Sequence, residues 1–358
     1  MTFATIAEKV RVGVRITEPE ALALFEHPDL LALGELAQFV NERRNGKRVF
    51  FNVNRHINHT NICVNRCRFC AFFRKAGEPG AYLMTLDEVR ARAEEAVKEG
   101  ATEIHVVGGL HPELPFEFYL ELLSTIKAVS PALHVKAFTA VEIEYLANLS
   151  GLGIPATLEK LKEAGLGSLP GGGAEIFAPE IRNQLCPEKI SGAAWLSIME
   201  KVHQAGLKSN ATMLYGHLES VADRVDHMRQ LRELQDRTGG FQVFIPLAFQ
   251  PEHSQLKIAG SGTSGVDDLR TLAVARIYLD NFANVKAYWV MLGEKIAQVS
   301  LCFGVNDLDG TVVEERIGHE AGADTPQTMS RDSIITMIRK AGRIPVERDT
   351  LYRELRVY

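Results

Sequence analysis

Cys63-Val64-Asn65-Arg66-Cys67-Arg68-Phe69-Cys70 holds three of the chain's five cysteines at the spacing CxxxCxxC, and it follows a β-rich run at 49–53. Three thiols so close in sequence can grip one metal centre and leave a coordination position open. On the carboxyl side of this stretch, short β-rich runs alternate with amphipathic helical runs. That alternation is the pattern of repeated βα units around a parallel sheet.

The units can be counted. After the cysteine stretch, Thr85 caps a helix whose charged face runs from Asp87 to Lys98, and Gly100 stops it. Strands are predicted at 104–107, 134–138, 168–169, 209–214, 243–247 and 285–291, with a strand-like turn at 304–311. Helices are predicted at 116–129, 193–205, 221–237, 267–281 and 295–303, and one further helix breaks at 151–155 and resumes over 158–164. Counting the strand at 49–53, this makes eight units and predicts an α/β fold, a (β/α)8 TIM-type barrel. The 358 residues exceed the about 250 such a barrel commonly takes. The expected division is an N-terminal helical extension at 1–45, the barrel at 46–311 and a C-terminal extension packing on the barrel at 312–358.

Composition narrows the function class. The chain is 46% hydrophobic and 24% charged, with a formal charge of -5 from 40 basic and 45 acidic side chains. No basic excess points to nucleic acid, and no apolar run reaches the roughly 20 residues a bilayer requires. Five cysteines are few for this length, and no charged-then-apolar leader opens the sequence. A reducing compartment and a cytoplasmic enzyme are therefore expected.

Two metals suit the cysteine stretch. Three thiolates can hold three irons of a 4Fe-4S cubane, leaving one iron for another ligand. Alternatively, a closed zinc site would recruit a fourth ligand from Cys186, Cys302, His56 or His59. Other segments reach the same barrel end. Gly108-Gly109 closes the second strand, where the missing Cβ atoms would let a ligand approach backbone carbonyls. Glu175 follows the glycine cluster Gly171-Gly172-Gly173 after the fourth strand, and His217 follows the fifth, where reacting groups collect. Asn306, Asp307 and Asp309 lie at the last strand.

CxxxCxxC with Phe69 before its last cysteine, after the first strand of a βα barrel, resembles the signature of the radical S-adenosylmethionine superfamily. The resemblance implies that Cys63, Cys67 and Cys70 hold a 4Fe-4S cluster whose open iron is chelated by S-adenosylmethionine. It places Phe69 near adenine, Gly108 and Gly109 near the methionine ammonium and Glu175 at the ribose. Further runs narrow the group: His56-Ile57-Asn58-His59-Thr60-Asn61-Ile62-Cys63, Met213-Leu214-Tyr215-Gly216-His217, Leu234-Gln235-Asp236-Arg237-Thr238-Gly239-Gly240-Phe241 and Phe244-Ile245-Pro246-Leu247. With the glycine cluster, these resemble the futalosine-pathway menaquinone enzymes and the deazaflavin (coenzyme F420) synthase subunits.

Lys286-Ala287-Tyr288-Trp289-Val290-Met291-Leu292-Gly293, Asp309-Gly310-Thr311-Val312-Val313-Glu314-Glu315 and the tail from Gly342 to Tyr352 most resemble the aminodeoxyfutalosine synthase family. That resemblance implies a small-molecule substrate, the enol-ether dicarboxylate 3-[(1-carboxyvinyl)oxy]benzoate, and an electron donor such as flavodoxin or ferredoxin. Two carboxylates call for cationic partners, and the candidates are Arg55, Arg74, Arg343 and Arg348, with His217 as a catalytic candidate. Glycine-containing segments at 74–82 and 259–265 are expected lids. The competing expectations are a cyclic dehypoxanthine futalosine synthase, a deazaflavin synthase subunit and a zinc-stabilised binding protein.

Overall fold

The computed structural model describes residues 2–258 and 262–358. Three capped helices open the chain: Phe3–Arg11, Glu18–Glu26 and Leu30–Asn45. Thr17 and Glu20 form a reciprocal capping box on the second, and Asp29 accepts from Ala32 N–H on the third. The second and third pack on the later helices Val221–Thr238 and Gly265–Tyr278, and the first packs on the second and third.

The barrel begins with β1 (Arg48–Asn52) and β2 (Asn54–Ile57), two parts of one extended stretch that changes partners at Val53. β3 (Glu103–Val106), β4 (His134–Ala137), β5 (Leu166–Leu169), β6 (Lys208–Tyr215), β7 (Phe241–Ala248) and β8 (Asn284–Val285) follow β2 in order, all parallel. β9 (Asp307–Gly310) closes the ring. It meets β8 through the Lys286–Asp307 bridge, pairs in parallel with β1, and its continuation bridges Val313 to Arg55. The eight βα units therefore form the expected barrel.

The tail extends the wall on the outside. β10 (Ile344–Arg348) pairs in parallel with β1, and β11 (Glu354–Val357) turns back on β10. The helix Arg331–Lys340 buries Ile334, Ile335 and Ile338 on one face, the spacing of an amphipathic helix.

One element differs from the sequence reading. The strand expected at 285–291 contributes two residues to the sheet, after which Trp289–Leu292 turns helical. Trp289 is buried and its indole N–H donates to Gly310 O, so the chain leaves the sheet to pack against β9. The β-branched and aromatic residues that suggest a longer strand are core residues of this turn. A short helix, Pro179–Leu185, follows the glycine cluster.

Candidate active site

A cavity of about 300 Å³ opens at the carboxyl ends of the strands, where barrel loops converge. Its wall includes Cys63, Cys67, Cys70, Phe69, Gly108, Gly109 and Glu175, so seven of the sequence candidates meet in one place. The cysteine loop is held there by backbone hydrogen bonds on several sides. Cys63 N–H donates to Arg74 O, Val64 N–H to Leu110 O, Arg68 N–H to Leu185 O and Cys70 N–H to Cys67 O, while Arg68 O accepts from Gln255 N–H. An irregular loop anchored this way holds its side chains at fixed positions before any ligand arrives.

Burial pushes the Cys67 thiol up to about 12, against the pull of the Lys189 ammonium, and burial also raises Cys70. Such thiols bind a metal as thiolates, so loading the site releases protons. The donor set fits a multi-iron cluster. Three thiols line one cavity. In a cluster each thiolate meets its own iron, so the ligands need not share one centre.

The two glycines also make room for a neighbouring loop. A Cβ on Gly109 would lie 2.2 Å from Ile62 O, and one on Gly108 would lie 2.5 Å from the His59 ring. Their bare faces admit the cysteine loop, which docks through Gly109 N–H to Thr60 O. The missing Cβ atoms thus set where the thiols sit relative to β3.

Glu175 is buried with a positive φ of 46° and accepts from Lys189 Nζ at 2.6 Å. Burial would raise its carboxyl, but the charge and hydrogen bond of Lys189 outweigh burial and lower it. Lys189 also lies 5.1 Å from the Phe69 ring centroid. The loop below is fixed by buried Arg182, which donates to Gly173 O, Ala174 O and Ile190 O.

Glu142 is a wall residue that the sequence reading missed. It completes the capping box of helix Ala140–Ser150 with Thr139, and its Oε1 accepts from Gly108 N–H at 3.2 Å. Burial pushes its carboxyl up to about 7. No cation pairs with it among the described residues.

Deeper in the barrel the wall becomes polar. His56, His105 and Lys136 occupy paired positions on β2, β3 and β4, and Lys286 and Asp309 face them from the closing strands. Lys136 Nζ is 2.6 Å from Glu103 Oε1, and Lys286 Nζ is 2.9 Å from Asp309 Oδ1. Burial lowers both histidines, so the imidazoles are neutral near pH 7. A signal for this group exists in the sequence: a single lysine or histidine inside an apolar strand is costly unless it faces a cavity. His134-Val135-Lys136-Ala137 and Val285-Lys286-Ala287 carry that signal.

The structure removes five candidates from the cavity wall. His217 is buried in its own turn, with Nε2 3.0 Å from Leu214 O, Nδ1 accepting from Leu218 N–H and Nδ1 2.9 Å from Glu219 Oε2. Both ring nitrogens are engaged where the chain leaves β6, so it positions that turn. Arg55 alternates outward from His56 and pairs with Glu95, Glu99 and Glu314. Arg74 donates to Ala71 O and Phe73 O and meets Glu320, bracing the end of the cysteine loop from outside. Arg343 pairs with Glu42 on an N-terminal helix. Arg348 is buried against Asp307 at 2.7 Å, with its guanidinium 4.1 Å from the Tyr352 ring centroid.

Of the two expected lids, 74–82 is tied beside the mouth by Thr60 Oγ1 to Tyr82 O, Asn61 to Gly80 O and Tyr82 OH to Asn58 O. In the other, 259–261 lie outside the described residues. No described helix is long and apolar enough to cross a membrane.

Comparison with known proteins agrees with this architecture. The Radical SAM superfamily description matches residues 57–231, and that of the CofH/MqnC C-terminal region matches residues 238–357. The chain is 49% identical over 356 residues to a protein of Thermus thermophilus named aminodeoxyfutalosine synthase, covering 99% of this chain and 96% of that protein. It is 47% identical over 317 residues to a Methanopyrus kandleri protein named 5-amino-6-(D-ribitylamino)uracil--L-tyrosine 4-hydroxyphenyl transferase, covering 87% and 86%. The fold matches the FeFe-hydrogenase maturase HydG from Carboxydothermus hydrogenoformans with a TM-score of 0.77 at 19% identity, over 98% of this chain and 80% of that one. The chain belongs to the radical SAM superfamily, enzymes that use a 4Fe-4S cluster and S-adenosylmethionine, within the group carrying the CofH/MqnC C-terminal region.

Proposed function

We propose that the protein is an aminodeoxyfutalosine synthase. It joins the 5′-deoxyadenosyl group of S-adenosylmethionine to the enol-ether carbon of 3-[(1-carboxyvinyl)oxy]benzoate, with aryl migration and loss of one carboxylate, to give 6-amino-6-deoxyfutalosine for menaquinone biosynthesis. The reading is carried by one observation: similarity to the Thermus thermophilus enzyme spans 99% of this chain, including the tail.

When bound, the cluster and S-adenosylmethionine supply a 5′-deoxyadenosyl radical. The chain's own residues hold and orient the reactants. Cys63, Cys67 and Cys70 are assigned as cluster ligands, because all three face the cavity from an anchored loop. Phe69 offers a ring to adenine, and Glu175 offers its second carboxylate oxygen to ribose hydroxyls while Lys189 holds the first. Glu142, the wall carboxylate without a cation, accepts an ammonium at the end of β3. The apolar wall formed by Ile245, Leu247 and Phe249 excludes water from the reacting centre. A flavodoxin or ferredoxin supplies the electron.

A second reading is the tyrosine 4-hydroxyphenyl transferase activity, favoured by the 47% identity to the Methanopyrus kandleri protein. Offering the reduced enzyme each acceptor separately decides between them. The enol-ether benzoate should be consumed, and tyrosine with 5-amino-6-(D-ribitylamino)uracil should not. Consumption of the latter pair alone would replace the first reading with the second.

A further inference from the structure

We propose that His56 and His105, flanked by Lys136 and Lys286, form the subsite that takes the ring carboxylate of the acceptor, the carboxylate retained in the product. The inference deepens the acceptor assignment above and depends on it.

Strand register builds the subsite. His56 pairs with His105, and His105 with Lys136, so three neighbouring strands present polar side chains into the barrel at one level. The two imidazoles lie 4.4 Å apart between centroids, tilted by 44°. Nε2 of each is buried and has no hydrogen-bond partner among the described residues. Leaving a buried polar atom unpaired costs stability, and two at one cavity wall mark a place where a ligand supplies the partner.

The ligand's class follows from the neighbours. Lys136 contacts Glu103, and Lys286 contacts Asp309 with Asp307 at 3.6 Å, but an ammonium has three donors, so each retains hydrogen-bonding capacity. Neutral imidazoles add N–H donors without adding another buried positive charge. Glu315 accepts from Gly318 N–H and lies 3.1 Å from His319, and Asp309 is engaged by Lys286, so both facing carboxylates are already balanced. A planar carboxylate is the ligand this arrangement suits.

Position selects which carboxylate. His105 lies three residues before Gly108 on the strand path, about 10 Å deeper along the barrel than the docking point of the cysteine loop. The enol-ether carbon must meet the adenosyl group near the thiols, so the ring carboxylate points inward. The arginines expected from sequence for this task are committed to ion pairs elsewhere.

The test measures binding without turnover. Reconstituted protein with S-adenosylmethionine and no reductant is titrated calorimetrically with 3-[(1-carboxyvinyl)oxy]benzoate and with the analogue whose ring carboxylate is a carboxamide. The native protein should prefer the acid. The double variant His56→Leu/His105→Leu should bind the acid about 10- to 100-fold more weakly and lose the preference, with cluster absorbance and S-adenosylmethionine affinity retained. His105→Gln, which keeps an N–H donor, should preserve part of the preference and decides the matter if the double variant loses its cluster. An unchanged acid preference in the variants would overturn the subsite. Failure of the native protein to bind the acid would instead overturn the acceptor reading on which it depends.

Discussion

Two sets of buried polar groups sit around the same barrel, and they are finished to different degrees. Around the tail and outer wall, Arg348 meets Asp307, Arg55 meets three glutamates, and His217 uses both ring nitrogens within its own turn. Inside the cavity, the Nε2 atoms of His56 and His105 have no partner among the described residues, and Glu142 has backbone partners only. Both regions contain the residue types that chemistry uses. Arg348, Arg55 and His217 are spent on holding the fold, whereas unpaired groups on the cavity wall are available to a ligand.

The most severe way to break this contrast is within the cysteine loop. Cys67→Ala should abolish the cluster's visible absorbance and reduce turnover to background, while the apo barrel retains its far-ultraviolet circular dichroism. Retention of a full cluster would remove Cys67 from the ligand set.

On the completed side, Arg348→Ala leaves buried Asp307 with only the more distant Lys286 ammonium, 3.6 Å away. Unfolding by denaturant should show a loss of about 3–5 kcal/mol, the cost typical of breaking a buried pair from one side. A loss below about 1 kcal/mol would mean that the pair is not a structural element of the barrel.

Glu142 gives the contrast a pH dependence. Its folded value of about 7 lies above the ordinary value of 4.5, so its favourable contribution is full below about 4.5 and is lost as pH rises through about 7. Relative to Glu142→Gln, the apo protein should lose about 3 kcal/mol between pH 4.5 and 8, read from paired unfolding curves. Parallel curves across that range would mean that Glu142 is not strained by ionisation.

The smallest effect tests an abandoned candidate. Arg343→Ala removes a partly exposed pair with Glu42, so stability should change by no more than about 1 kcal/mol and the acceptor KM by less than about twofold. A tenfold rise in KM would return Arg343 to the substrate site.

The contrast also explains what could be read from sequence. CxxxCxxC is local, and its three thiols remain neighbours in the fold because the loop that carries them is short. Helix starts at Thr85 and Ser220 are also local, since each capping box is completed within three residues. The arginines were not legible in this way. Arg55 occurs beside a site motif in sequence, yet strand alternation turns it away from His56, and its partner Glu314 lies 259 positions away in the sequence. The ligand-facing lysines were legible in part, through the cost of a charge within an apolar strand. The common level of Lys136 with His56 and His105 depends on register, which no single segment contains. The unexpected helix Trp289–Leu292 has the same cause, because Trp289 finds its partner on Gly310.

In the proposed reaction the adenosyl group becomes part of the product. The direct test supplies S-adenosylmethionine carrying carbon-13 at the 5′ position, with 3-[(1-carboxyvinyl)oxy]benzoate and reductant, and follows the label by nuclear magnetic resonance. The expected result is a labelled carbon bonded to a new carbon in a product that has lost one carboxylate. Label found wholly in free 5′-deoxyadenosine would contradict it.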